Sequence, residues 1–510
     1  MYVTRTPIDK NGGTTWEYLN KLATETGLMT EEGDNILALQ YGIIDVKRDN
    51  VPLAQYLGDK TKLVTFRAPN TIYYPFGCNA SQKKAVENAL TNQVSIIQGP
   101  PGTGKTQTIL NIIANLLLEK KSVLVVSNNN SAVENVAEKL EGEGLGFFVA
   151  KLGSVENKEL FIANQKEYPQ MDDWRIEDTS SIKQQVKQAL RDVSLGFEGQ
   201  SKFALLKTEL DALHKETKYD QMHHDVADEH KWLFNKHSKK LMSFRLQYGI
   251  LTEKGQKFSL LQILKWSFAL GLKVHKFLKA KPETIINVLE TAYYVSRKRE
   301  IENELCTIET SLKTINIQQR VKELRQLSLK ALKNTIAKRF TGERKRFTIK
   351  TIKPQTDTFL KEYPVVLSTT YSAKACISKD MVFDYLIMDE ASQVDIKTGA
   401  LALSCAMNAV IVGDDKQLPN VVSHEEEQAL QAIQSTCNVD EKYQATQNSF
   451  LQSCVKVFAD APVILLREHY RCHPKIIDFC NQRFYNGELI AMTSDNNEDK
   501  VLKVIKTVPG

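Results

Sequence analysis

Residues 94–118 read VSIIQGPPGTGKTQTILNIIANLLL, a short apolar run, a glycine-rich turn and a longer apolar run with helical spacing. Val94–Gln98 predicts a buried strand and Thr106–Leu118 a helix. Between them Gly99, Pro100, Pro101, Gly102, Thr103, Gly104, Lys105 and Thr106 satisfy G-x-x-x-x-G-K-[ST] at every fixed position, in the strand-before, helix-after setting the motif requires. Glycines let the backbone wrap phosphates closely. The loop N–H groups and the helix N-terminus bind their negative charge. Lys105 is expected to reach the β- and γ-phosphates of a nucleotide and the Thr106 hydroxyl to ligate Mg²⁺. An α/β fold with a parallel sheet follows.

Outward from this loop the same texture continues. Ser122–Val126 and Phe147–Ala150 read as strands and Ser131–Glu141 as a helix. Residues 161–355 differ, with few strand signals and long stretches such as IENELCTIETSLKTINIQQRVKELRQLSLKALKNTIAKRF. Leu305, Ile308, Leu312 and Ile315 recur at three- and four-residue intervals, which predicts a helical hairpin or small bundle. The α/β texture returns over 356–460, with strands near Val365–Ser368, Tyr385–Met388 and Val410–Val412. A further strand, Val463–Leu466, and a helix from Pro474 are expected to begin something new.

Charge follows the same division. The 510 residues carry a net charge of +6, yet residues 181–350 hold 34 Lys+Arg against 18 Asp+Glu, a local +16 that leaves about −10 for the rest. Such a basic element suits a polyanion or is a solvated stalk. The most apolar stretch, Phe258–Leu278, is interrupted by Lys265, Lys273 and Lys276, so a buried amphipathic helix is expected and a membrane partner is not. No signal-peptide pattern opens the sequence, and its eight cysteines show no disulfide-like spacing, which predicts an intracellular, cytoplasmic protein.

Three more stretches carry chemistry. FDYLIMDEAS delivers Asp389 and Glu390 to a strand's C-terminal end, where open α/β sheets bind ligands. Asp389 suits the Mg²⁺ shell, and Glu390 suits activating the attacking water of phosphoryl transfer. AVIVGDDKQLPN places Gln417 after a strand, where an amide can sense a γ-phosphate. In REHYRCHPKIIDFCNQRFYNGEL, Arg471 precedes a proline-started helix and can stabilise charge on a transferring phosphoryl group. His469, Cys472, His473 and Cys480 in the same stretch match no zinc-ligand spacing well.

In this order GPPGTGKT, DEASQ, GDDKQLP and HYRCHPKIIDFCNQRFYNGEL resemble motifs I, II, III and IV of superfamily 1 helicases, in the branch of the nonsense-mediated-decay helicase. CNASQKKAVENAL resembles that family's Q motif, which implies that Gln82 reads adenine. VLVVSNNNSAVENVAEKL resembles motif Ia and VVLSTTYSA the next strand-contacting motif, which implies that Asn130 and Thr370 touch single-stranded DNA or RNA. Asn129 stands where motif Ia usually has Ser, and Asn420 where a second proline is expected.

The resemblance implies an ATP- and Mg²⁺-dependent hydrolase with a RecA-like P-loop NTPase sheet and a long coiled-coil-like insertion. The expected domains are an N-terminal accessory region (1–75), the first RecA-like domain (76–160 and 356–460) split by the basic helical insertion (161–355), and the start of a second RecA-like domain (461–510). Such a chain is expected not to unwind duplexes alone, its second motor domain coming from another chain. Two other readings share parts of this plan. An ABC-type or structural-maintenance ATPase also inserts a helical hairpin, but KACISKDMVF stands where its LSGGQ-like helix belongs. A non-hydrolysing scaffold that binds nucleic acid or ATP is opposed by the intact Lys105, Asp389 and Glu390.

Overall fold

The computed structural model describes residues 13–27, 29, 33–44, 52–58, 63–223, 226–418, 424–495, 498 and 501. The chain divides into two compact units, residues 1–189 with 321–510, and residues 190–320.

The first unit is built on a seven-stranded parallel sheet. Its strands are β1 (Val94–Gln98), β2 (Val123–Ser127), β3 (Val149–Lys151), β4 (Val365–Thr369), β5 (Phe383–Met388), β6 (Ala406–Gly413) and β7 (Val463–Leu465). Their order is β3-β4-β2-β5-β6-β1-β7. The central strands are apolar at consecutive positions rather than alternate ones. Val94, Ile96, Ile97 and Val123–Val126 are all buried, as a sheet covered on both faces demands. Register places Gln98 opposite Gly413 and Val126 opposite Met388, so the phosphate-binding turn and the turns bearing Asp389 and Asp414 leave the same edge together.

The strand over 147–150 is shorter than expected. Phe147 and Phe148 form a 3₁₀ turn instead, with both rings packed on Phe340. Only Val149–Lys151 pairs, against Val365–Leu367. The expectation that Val463–Leu466 opens a second sheet is corrected. β7 pairs in parallel with β1, Ile96 opposite Val463 and Gln98 opposite Leu465, and so forms the edge of the first sheet. An apolar edge beside β1 was available to it, and Leu466 extends the ladder by donating its N–H to Gln98 O at 2.7 Å. A separate two-stranded pair, β8 (Glu468–His469) with β9 (Ile490–Ala491), follows. Most of residues 491–510 lie outside the described residues.

The N-terminal region, which offered no readable motif, belongs to the same core. Tyr18, Leu22, Tyr41 and Tyr56, from the helices Gly13–Glu25, Ile36–Tyr41 and Pro52–Tyr56, are fully or almost fully buried with the sheet residues. Their hydroxyls are spent on it. Tyr41 donates to Lys397 O at 2.5 Å and Tyr56 bonds Ser453 Oγ at 2.6 Å.

The second unit is helical. Its long elements are parts of Thr179–His223 and Pro282–Ile315, paired through Leu206, Leu213 and Ile301 and a two-pronged Arg297–Glu209 contact at 2.7 Å. Gly199 allows close approach, since a Cβ there would sit 3.0 Å from Leu312 Cδ2. Ser238–Glu253 and Leu260–Leu270 complete a small core around Phe244, Trp266, Leu270 and Leu289. Here the expected buried helix is half right. Trp266 and Leu270 face the core, but Leu260, Leu264 and Phe268 are 80, 66 and 96% exposed. The helix is apolar on two faces and the unit covers only one of them. Among the described residues no helix is long and apolar enough to cross a membrane.

Candidate nucleotide-binding site

The glycine-rich turn owes its shape to two positive backbone angles, φ +96° at Gly102 and +83° at Gly104, where an L side chain is strained. Gly104 caps the helix Lys105–Leu118, so its first N–H groups face the turn. Thr103 braces the turn by donating its hydroxyl to Pro100 O at 2.8 Å. Lys105 is almost fully buried. Its ammonium donates to Gly99 O at 3.0 Å and lies 3.4 Å from Glu390 Oε1. The turn borders a cleft of about 750 Å³ that also receives Thr106, Asp389, Glu390 and Arg471.

β5 delivers the two acids. Asp389 is still held by the sheet, its N–H donating to Val126 O at 2.8 Å. Glu390 then turns to φ +53°, a conformation that sends its side chain back toward Lys105. Burial, then the neighbouring Glu390 charge, push the Asp389 carboxyl up to about 6, against a smaller opposing pull from Lys105. Glu390 Oε2 is buried with no hydrogen-bond partner. A desolvated carboxylate with one hydroxyl neighbour and an unsatisfied acid oxygen is a donor set that suits a hard divalent cation and a water.

Gln82 lies inside the protein rather than on the cleft wall. It closes a capping box with Asn79 at the start of the helix Ala80–Thr91. Its amide nitrogen donates to Thr103 O at 3.1 Å and Gln107 Oε1 at 3.2 Å, while its oxygen accepts from Asn79 N at 3.1 Å. Gln417 is directed to Asp414, donating to its carboxylate at 3.0 Å beside the Tyr485 hydroxyl at 2.7 Å, and does not line the cleft. The Pro419 and Asn420 that follow it lie outside the described residues. Arg471 is exposed on the cleft wall, its Cβ 2.6 Å from where a Cβ on Gly102 would stand.

The two expected strand contacts part company. Asn130 is exposed at the first turn of the helix Asn130–Gly142. Thr370 is 0% exposed and donates its hydroxyl to Asn128 Oδ1, so as a surface contact it is corrected to an internal one. The histidines of the HYRCHP stretch also diverge. His469 bonds Pro101 O at 3.0 Å, whereas His473 meets Asp495 at 3.3 Å and Glu498 at 3.0 Å.

Residues passed over in the sequence complete the wall. Tyr470, 49% exposed, reaches the cleft with its hydroxyl 3.4 Å from Asn79 Nδ2. Ser131, Asn135 and Lys139 line it too, and their four-residue spacing on one helix was the signal available for them.

Comparison with known proteins agrees with this geometry. The family model described as AAA domain matches residues 77–425. The DNA polymerase alpha-associated DNA helicase A of Schizosaccharomyces pombe is 38% identical over 109 residues, 21% of this chain and 15% of that protein. The regulator of nonsense transcripts 1 of Caenorhabditis elegans is 47% identical over 68 residues, 13% of this chain and 6% of its own length. An uncharacterized ATP-dependent helicase of Mycoplasma genitalium is 25% identical over 84% of this chain and 47% of its own length, so the chain spans at most about half of each of these relatives. The chain belongs to the AAA domain family, among the superfamily 1 helicases and in the branch of the regulators of nonsense transcripts.

Proposed function

We propose that this chain binds and hydrolyses ATP as the first motor half of a nucleic-acid-dependent helicase or translocase. The observation that carries the reading is the convergence of Lys105, Thr106, Asp389, Glu390 and Arg471 on one cleft beside a phosphate-binding turn. The turn's N–H groups and Lys105 hold the phosphates, and Lys105 exchanges Gly99 O and Glu390 for phosphate oxygens. Thr106 and Asp389 hold Mg²⁺, which supplies charge neutralisation on the β- and γ-phosphates. Glu390, with Oε2 unpartnered, orients the attacking water and takes its proton.

Arg471 stabilises charge on the transferring phosphoryl group. The half-exposed Tyr470 ring offers a face to the base. Gln82 favours adenine over guanine from behind the turn, through its brace on Thr103, rather than from the cleft wall. Gln417 acts through Asp414, to whose carboxylate its amide donates. Asn130 and the lysine-rich insertion contact a single-stranded nucleic acid. Among the described residues there is one seven-stranded sheet of this kind, and a second RecA-like domain closes the cleft over the nucleotide.

The test is ATP turnover by the wild type and by Glu390→Gln, with and without single-stranded DNA and RNA. Equal turnover by the two proteins, or none by the wild type when it is combined with a two-domain relative's second half, overturns the reading.

A further inference from the structure

The helix Leu260–Leu270 in the 190–320 unit carries two apolar faces. Trp266 and Leu270, four residues apart, are buried in the unit's core, and Trp266 Nε1 donates to Gln247 Oε1 at 2.8 Å. Leu260, Leu264 and Phe268, also at four-residue steps, lie on a different face that Leu261 widens, and Leu272 follows just past the helix end at Gly271. All five are exposed, the last three by 96, 80 and 87% for Phe268, Leu261 and Leu272. Single exposed apolar residues need no explanation, but four on one side of a short helix, with a fifth just past its end, do.

The surrounding charge says what covers the stripe. Residues 254–282 contain Lys254, Lys257, Lys265, Lys273, Lys276, Lys279 and Lys281 and no Asp or Glu. All seven lysines are exposed. None makes an ion pair with another described residue. A stripe of Leu and Phe bordered by lysines is the composition of a helix that lies in the interface of an anionic bilayer. Its apolar side chains sit among the acyl chains and its ammonium groups among the headgroup phosphates.

Nucleic acid supplies the phosphates but no acyl layer for Leu260, Leu261, Leu264 and Leu272. We propose that this face docks on an anionic lipid surface, lying on the membrane and not across it, and so holds the ATP-binding unit at that surface. The proposal is independent of the nucleotide chemistry.

The test is flotation of the full chain with vesicles of phosphatidylcholine alone and of phosphatidylcholine with phosphatidylglycerol, at low and high salt. Binding to the anionic vesicles is expected, at least tenfold stronger than to neutral ones and weakened by salt. Leu264→Glu/Phe268→Glu abolishes it. Lys273→Glu/Lys276→Glu lowers it several-fold. Both variants keep the wild-type circular dichroism and ATP-analogue affinity, since every changed side chain is exposed. The proposal is overturned by any of three results: no binding to anionic vesicles, unchanged binding by Leu264→Glu/Phe268→Glu, or a stripe that instead mediates self-association, seen as a concentration-dependent dimer that the same variant dissolves without any vesicle binding. Oligonucleotide binding that is lost in both variants while vesicles are ignored would reassign the face to nucleic acid.

Discussion

Gly104→Ala asks whether the phosphate-binding turn is shaped by a lack of space. Gly104 stands at φ +83°, which costs an L residue about 1–2 kcal/mol. The new Cβ points straight at Gln82 Nε2. That amide has nowhere to go, being 1% exposed and committed to Thr103 O, Gln107 Oε1 and, through its oxygen, Asn79 N. Displacing it loses about two neutral hydrogen bonds, roughly 1 kcal/mol each. Together the change amounts to about 3–4 kcal/mol, dissipated by distortion of the turn, so ATP-analogue affinity should fall on the order of 100-fold. Gly104→Ala/Gln82→Ala removes the collision but forfeits the same hydrogen bonds and keeps the backbone strain, so it should be about as stable as Gly104→Ala, and the losses of the two single variants should not add. Urea unfolding followed by circular dichroism, with titration of a fluorescent ATP analogue, measures both quantities. A Gly104→Ala protein within about 0.5 kcal/mol of wild type, or a double variant whose loss equals the sum of the two single losses, refutes the steric reasoning.

Lys105→Ala removes a charge-assisted phosphate contact worth roughly 1.5–3 kcal/mol, and the same titration should show the loss. Glu390→Gln should bind ATP normally and lose about 10²–10⁴ in turnover, read as phosphate release. Gln82→Ala should weaken an ATP analogue more than a GTP analogue, and an equal loss reduces Gln82 to a brace. His469 has a pKa lowered from 6.5, by burial first and by the Arg471 charge, against a raising pull from Pro101 O. Its contribution to stability is therefore full above pH 6.5 and lost as pH falls through the lower folded value. His469→Gln should flatten the acid limb of a melting-temperature profile, whereas an unchanged profile assigns that limb to other groups.

What could be read from the sequence was whatever depends on neighbours in the chain. The turn at Gly99–Thr106 and the acids after β5 are strand-to-loop features, and their spacing carries their geometry. What escaped depends on partners far away. β7 reads as the start of a new sheet because its partner β1 lies more than 360 residues earlier. Thr370 reads as a surface contact because only the fold brings Asn128 over it. Gln82 shows a capping-box pattern, but its bonds to Thr103 and Gln107 require the turn to be folded first. Phe268 sits in a run that periodicity marks as apolar, and periodicity does not say how many of a helix's faces find a wall.

The segment bearing Arg471 is sewn to the turn it serves. Tyr470 N–H donates to Gly102 O at 2.9 Å, His469 bonds Pro101 O, and Leu466 prolongs the ladder from β1. The polypeptide that follows is tied back to the same segment, Met492 N–H donating to His469 O at 2.8 Å and Ile490 N–H to Arg467 O at 2.8 Å. Gly102 and Arg471 are therefore held to each other by the backbone, and not only by sharing a cleft wall.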